Sequence, residues 1–205
     1  MNNKQIIINQ RIPLDVLSTA LNSYLDGNYN EEYLVQQLRL EFKGENRLSK
    51  SIGIINKTIL KNPQIKFIEE HKEEFKLALK KKSDRNLILI ALLNSTYSFA
   101  FDTLQFLGKY LTVQNVVSRE SIKKSLGGIY GGNRSTDNAI DSVIPMFMEA
   151  GIISRPANGL YQHNPDVVTS YTVTRQLYVE SYKLWSNYDE VQEYQLRDPY
   201  FLFLN

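Results

Sequence analysis

Arginine, asparagine, serine and threonine crowd one stretch of the 205-residue chain, Asn133-Arg134-Ser135-Thr136-Asp137-Asn138. Side chains of these types bond phosphate oxygens and the edges of bases. Other chemistries find less support. Cysteine is absent, which removes disulfides, thiolate metal sites, iron–sulfur clusters and cysteine nucleophiles together. His71 and His163 are too few for a multi-histidine metal centre. The spacing from Gly127 to Gly132 fits a phosphate loop. However, Asn133 and Arg134 follow where Lys and Ser or Thr are required, and no strand precedes it. The motifs H-E-x-x-H, G-x-S-x-G and G-x-G-x-x-G are missing. Glu69, Glu70, Glu73 and Glu74 surround His71, and Glu70 and Glu74 lie one helical turn apart. Without a third strong ligand, ion pairing with neighbouring lysines is the better account of them than a bridged metal ion. His163 is expected at the surface. No catalytic residue, metal or cofactor is expected, and the chain does not read as an enzyme.

The elements around the polar run form a recognisable order. Ser118 is placed to cap a helix carrying Ile122, Leu126 and Ile129, and Gly127-Gly128 and Gly131-Gly132 then loosen and turn the chain. Ser135 is expected to cap the next helix, with Asn138 three residues on as a weak capping-box partner. Ala139, Val143 and Phe147, with Ile140, Ile144 and Met148 one step round, supply its apolar face; Pro145 is expected to bend it, and Gly151 follows Ala150 at its end. Ile152-Ile153-Ser154-Arg155 reads as a strand, Pro156-Ala157-Asn158-Gly159 as a turn and Leu160-Tyr161-Gln162 as the return strand. The run AIDSVIPMFMEAGIISRPANGLYQ resembles the second half of winged helix-turn-helix domains. That resemblance implies that the second helix of the pair enters the major groove of double-stranded DNA. Arg134 would then face guanine and Asn138 adenine. Ser135 and Thr136, beside Asn133, would meet phosphate at the helix N-terminus. Arg119, Lys123 and Lys124 on the preceding helix, and Arg155 on the wing, would neutralise phosphates. Asp137 and Asp141 repel phosphate, so binding is expected to be weak and salt-sensitive. Winged helices also serve as protein–protein modules, and an adaptor or scaffold is therefore the alternative. A transcription regulator is a further variant, and it would need a dimer to read a palindrome.

The rest of the chain reads as mostly α. Residues 1–82 form an N-terminal helical region. Its first helix has Pro13 in the opening turn and Leu14, Leu17, Leu21 and Leu25 as its stripe; the second is capped by Asn30 and ended by Gly44. A third helix spans about 47–61 and a fourth about 64–82, so Lys80-Lys81-Lys82 reads as a solvated helix end. Residues 83–165 form the winged-helix-like region with its short β-hairpin. It opens with a helix capped by Ser83 or Asp84 that continues, after a bend near 94–98, to Leu111. Residues 166–205 form an aromatic C-terminal helix and tail packing on the body, with Tyr171, Tyr178, Tyr182 and Trp185 on one face. The most apolar stretch, 87–107, is interrupted by Asn94, Ser95, Thr96, Ser98, Asp102, Thr103 and Gln105, which favours a buried helix over a membrane span. With no evident targeting segment, a cytoplasmic protein is expected.

Charge refines the partner. The total is only +2, from 24 Lys+Arg against 22 Asp+Glu. Residues 1–82 hold 14 basic and 10 acidic side chains, residues 83–165 hold 7 and 6, and residues 166–205 hold 3 and 6. An acidic tail thus masks a basic N-terminal region, and weak DNA contact, either shared with the N-terminal helices or strengthened by a partner, is the expectation. The phrases LNSYLDGNYNEEYLVQQL, NRLSKSIGIINKTI, FDTLQFL and AIDSVIPMFMEAGII resemble the small BrxA-type proteins of bacteriophage-exclusion (BREX) systems over roughly residues 14–161. That resemblance implies an all-helical accessory protein in a phage-defence locus, associated with double-stranded DNA and with larger proteins of the same system.

Overall fold

Pro13, with φ −58°, stands as the N-cap immediately ahead of α1 (Leu14–Leu25). Asn30 caps α2 (Glu31–Arg39), its side chain accepting the Tyr33 N–H, and Glu31 and Glu32 occupy the positive end of that helix. Gly44, expected to end α2, instead precedes α3 (Glu45–Ile59) as its N-cap. The computed structural model describes residues 5–186 and 188–204.

The expected fourth helix is two short ones, α4 (Ile65–Glu70) and α5 (Lys72–Ala78), separated at His71. Its apolar stripe has a gap between Ile68 and Phe75, and no buried side chain holds the turn at His71 and Lys72. The lysine triplet therefore lies at the junction with α6 (Lys82–Thr96), where Lys81 is the N-cap and Lys82 the first helical residue.

Leu87 to Leu93 of α6 are all fully buried. A helix apolar on every side belongs at the centre of a fold. Accordingly α1, α3, α7 (Ser98–Leu111) and α10 (Thr172–Ser186) all pack on α6. The axis turns by 119° between α6 and α7. Asn94 O, among the carbonyls freed there, accepts from Trp185 Nε1 at 2.8 Å, and Asn62 Nδ2 donates to Leu92 O in the preceding turn at 2.9 Å. No single helix among the described residues is long and apolar enough to cross a membrane.

Ser83 or Asp84 is the expected cap of α6, but both lie inside its first turn behind Lys81, and the fully buried Asp84 carboxylate faces another helix. It accepts the N–H groups of Ser170 and Tyr171, at 3.1 and 3.0 Å, just ahead of α10. A carboxylate at a helix N-terminus satisfies orphan donors and complements the helix dipole.

Between α7 and α10 the chain runs β1 (Val117–Ser118), α8 (Arg119–Tyr130), α9 (Arg134–Glu149), β2 (Ile153–Ala157) and β3 (Leu160–His163). The three strands form one antiparallel sheet in the order β1–β3–β2. Val117 faces Tyr161 in one pairing and Ile153 faces His163 in the other. The turn between β2 and β3 is shorter than expected. Ala157 pairs with Leu160, so Asn158 and Gly159 alone make it, with Gly159 at φ 72°. Pro156 is tolerated because β2 is an edge strand. The chain is thus mostly helical with a small three-stranded sheet.

Two 3-10 helices, Glu193–Arg197 and Pro199–Phe203, close the fold. Tyr178, Tyr182, Tyr200, Phe201 and Phe203 are buried. The Tyr200 ring lies 4.6 Å from Tyr178 and 4.7 Å from Phe101, centroid to centroid.

Candidate nucleic-acid interface

Ser118 caps α8 as expected, its hydroxyl accepting the Ser121 N–H at 3.1 Å. The same helix start is tied to the hairpin turn, since Arg119 N–H donates to Gly159 O at 2.8 Å. Helix α8 runs through Gly127-Gly128, and the chain turns only at Gly131, where φ is 88°. A side chain is disfavoured in that left-handed region, so this glycine is required for the turn.

The cap of α9 is Asn133 rather than Ser135. Asn133 Oδ1 accepts from Ser135 N at 2.9 Å and from Thr136 N at 3.3 Å. An asparagine one residue before the helix reaches those donors, whereas Ser135 already lies within the first turn. Thr136 is fully buried, and its hydroxyl donates to Gly131 O, which holds the turn against α9. The remaining polar residues of these turns, Arg134, Ser135 and Asn138, are exposed. Arg134 and Asn138 are four residues apart and therefore share one helix edge.

The cations of α8 are differently placed. Arg119 Nη2 lies 2.8 Å from Asp141 Oδ1, and its Nη1 lies 3.6 Å from Asp137 Oδ1. Lys123 Nζ lies 3.0 Å from Asp137 Oδ2. Hydrogen bonding from Lys123 holds the Asp137 carboxyl below the usual range, and hydrogen bonding to Asp141 raises the Arg119 pKa. Two of the residues expected to meet phosphate are thus committed to carboxylates on the neighbouring helix. Lys124 is exposed on α8. Arg155 is exposed on β2, with its guanidinium on Asn158 Oδ1 of the turn.

One wall of this surface has no local sequence signature. Arg11 bridges Glu41, at 3.3 Å, and Glu149 at the end of α9, at 2.7 Å. The second Glu149 oxygen accepts the Leu14 N–H at 2.7 Å, capping α1 from another helix. A groove of about 220 Å³ opens beside it, bordered by Asn9, Arg11 and Arg47 and, from α9, by Asn138, Asp141 and Ser142. These residues are brought together only by the tertiary fold.

His163, expected at the surface, is half-buried at the end of β3 with its ring edge-on to Phe203. Among the described residues, no group of three or more His, Asp or Glu could hold a metal ion. Comparison with protein-family models, with curated proteins and with solved structures finds no match for this chain.

Proposed function

We propose that residues 98–163 act as a winged helix-turn-helix unit and that the protein is a non-enzymatic, double-stranded-DNA-binding accessory protein. The observation that carries this is topological. A helix pair, α8 and α9, is inserted between β1 and a β2–β3 hairpin, and all three strands join one sheet with β3 in the middle. In this arrangement α9 is the recognition helix, and its exposed first turns present Arg134, Ser135 and Asn138. The hairpin turn with Arg155 is the wing. The phrases similar to BrxA-type proteins support a setting in phage defence, with larger proteins of the same system as further partners.

The pairing of Arg119 with Asp141 and of Lys123 with Asp137 favours a second role for the same unit, a protein–protein adaptor. Cations held this way release few counterions from a duplex, so DNA affinity is expected to be weak and its salt sensitivity to come from the unpaired cations.

Titration of a fluorescent duplex at several salt concentrations separates the two. Binding that strengthens as salt falls supports the DNA role, and no binding at low salt leaves the adaptor. Arg134→Ala is expected to cost about 1–3 kcal/mol on a preferred sequence and to relax preference at one base pair, as loss of a bidentate guanine contact does.

A further inference from the structure

We infer that the N-terminal helical region places a second phosphate contact, Arg47, on the same duplex that α9 reads; this rests on the DNA-binding role proposed above. Arg11 bridges the two elements. Its guanidinium joins Glu41, two residues past α2, to Glu149 at the end of α9, and Glu149 in turn caps α1. The α2–α3 junction is therefore held beside the recognition helix rather than tethered loosely to it.

Across the groove from Asn138 and Asp141 stands Arg47, in the first turns of α3. Arg47 is exposed, and among the described residues no carboxylate lies within ion-pair distance of it. Its guanidinium sits 5.1 Å from the centroid of the Phe42 ring, so the side chain is ordered by an aromatic face while its N–H donors remain free. Lys43, exposed on the same junction, adds a second uncommitted positive charge. The contrast with α8 is direct, because Arg119 and Lys123 already bind Asp141 and Asp137. Uncommitted arginines thus flank Asn138 on both sides: Arg134 one turn earlier on α9, and Arg47 over the groove. A DNA backbone is a regular array of anions, and guanidinium groups set apart on either side of a base-reading residue suit it. The basic excess of residues 1–82 acquires a location in this arrangement.

The test is a duplex titration with the full chain by fluorescence anisotropy, on two unrelated sequences and over a salt series. Arg47→Ala should weaken binding on both sequences alike, by roughly tenfold at 0.1 M salt, and lower the log–log salt slope by about 1. Arg47→Lys should keep most of the affinity, because it keeps the charge. Arg119→Ala should change affinity less than Arg47→Ala does. If Arg47→Ala binds like the natural chain while Arg134→Ala weakens binding, the inference is overturned and the DNA-binding role stands. If the natural chain binds no duplex at low salt, both fall. Arg47 is exposed, so its variants retain the fold, which a matching thermal melt verifies.

Discussion

The imidazole of His163 is a polar group at an apolar contact. Its ring centroid lies 5.4 Å from that of Phe203, edge-on, and Nε2 is buried with no hydrogen-bond partner. Burial lowers its pKa below the ordinary 6.5. The folded protein therefore keeps this ring neutral over a pH range in which the unfolded chain binds a proton. Linkage sets the sign: the unfolded state holds more protons, so stability rises with pH across that range. The contribution is complete above pH 6.5 and is lost as pH falls through the lowered folded value. Urea midpoints measured from roughly pH 8 down to pH 5 should decline, and His163→Phe should flatten the decline. An equal slope in both chains would assign the effect to another group.

At the scale of elements, the contact between α7 and the last 3-10 helix, Pro199–Phe203, depends on one missing side chain. A Cβ at Gly108 would lie within bonding distance of the Pro199 backbone carbonyl. Backbone cannot step aside as a flexible side chain can, so Gly108→Ala should force the two helices apart. A loss of about 1–3 kcal/mol is expected, read as a lower melting temperature with unchanged helical circular dichroism at low temperature. A variant that melts like the natural chain would mean that the last 3-10 helix shifts without cost.

The same scale explains what the sequence discloses. Helices with an unbroken stripe are legible: α1, α3 and α6 fall close to their expected positions because burial and period agree. The caps Ser118 and Asn30 and the Ala150-Gly151 terminus are legible too, since each acts within four residues. The break at His71 is less so, because a gap in a stripe weakens a helix without announcing a stop. Asp84 illustrates a deeper limit. It has the right type and place to cap α6, yet it serves α10, across 86 residues of chain. The candidate interface divides in the same way. Its polar run is visible locally, whereas the Arg119–Asp141 pair and the Arg11–Glu149 staple exist only once helices are docked.

For the molecule as a whole, the aromatic C-terminus poses a choice between a surface that waits for a partner and part of the protein's own core. Seven of the nine aromatics there, Tyr171, Tyr178, Tyr182, Trp185, Tyr200, Phe201 and Phe203, have the composition of a binding hot spot. Their placement argues for the core. Tyr200 is fully buried, its hydroxyl accepts from Asn94 Nδ2 at 2.9 Å and lies 2.6 Å from Ser181 Oγ, and its carbonyl accepts from the Tyr178 hydroxyl at 2.9 Å. The last 3-10 helix therefore ties α6, the central helix, to α10. Truncating a buried aromatic costs about 3–5 kcal/mol, and a domain of this kind has about 5–15 kcal/mol in total. Deleting residues 199–205 removes Tyr200, Phe201 and Phe203 together and should leave no cooperative melt. The single tryptophan offers the readout: Trp185 donates to Asn94 O and sits 6.5 Å from Phe101, so its emission should shift to the red as the α6–α10 contact opens. The DNA binding proposed above should be lost with it, because α3, which carries Arg47, and α7, which packs on α9, both rest on α6. A truncated chain that melts like the natural one, and loses only a protein partner, would instead make the tail an interface. It would also shift weight from the DNA-binding role to the adaptor.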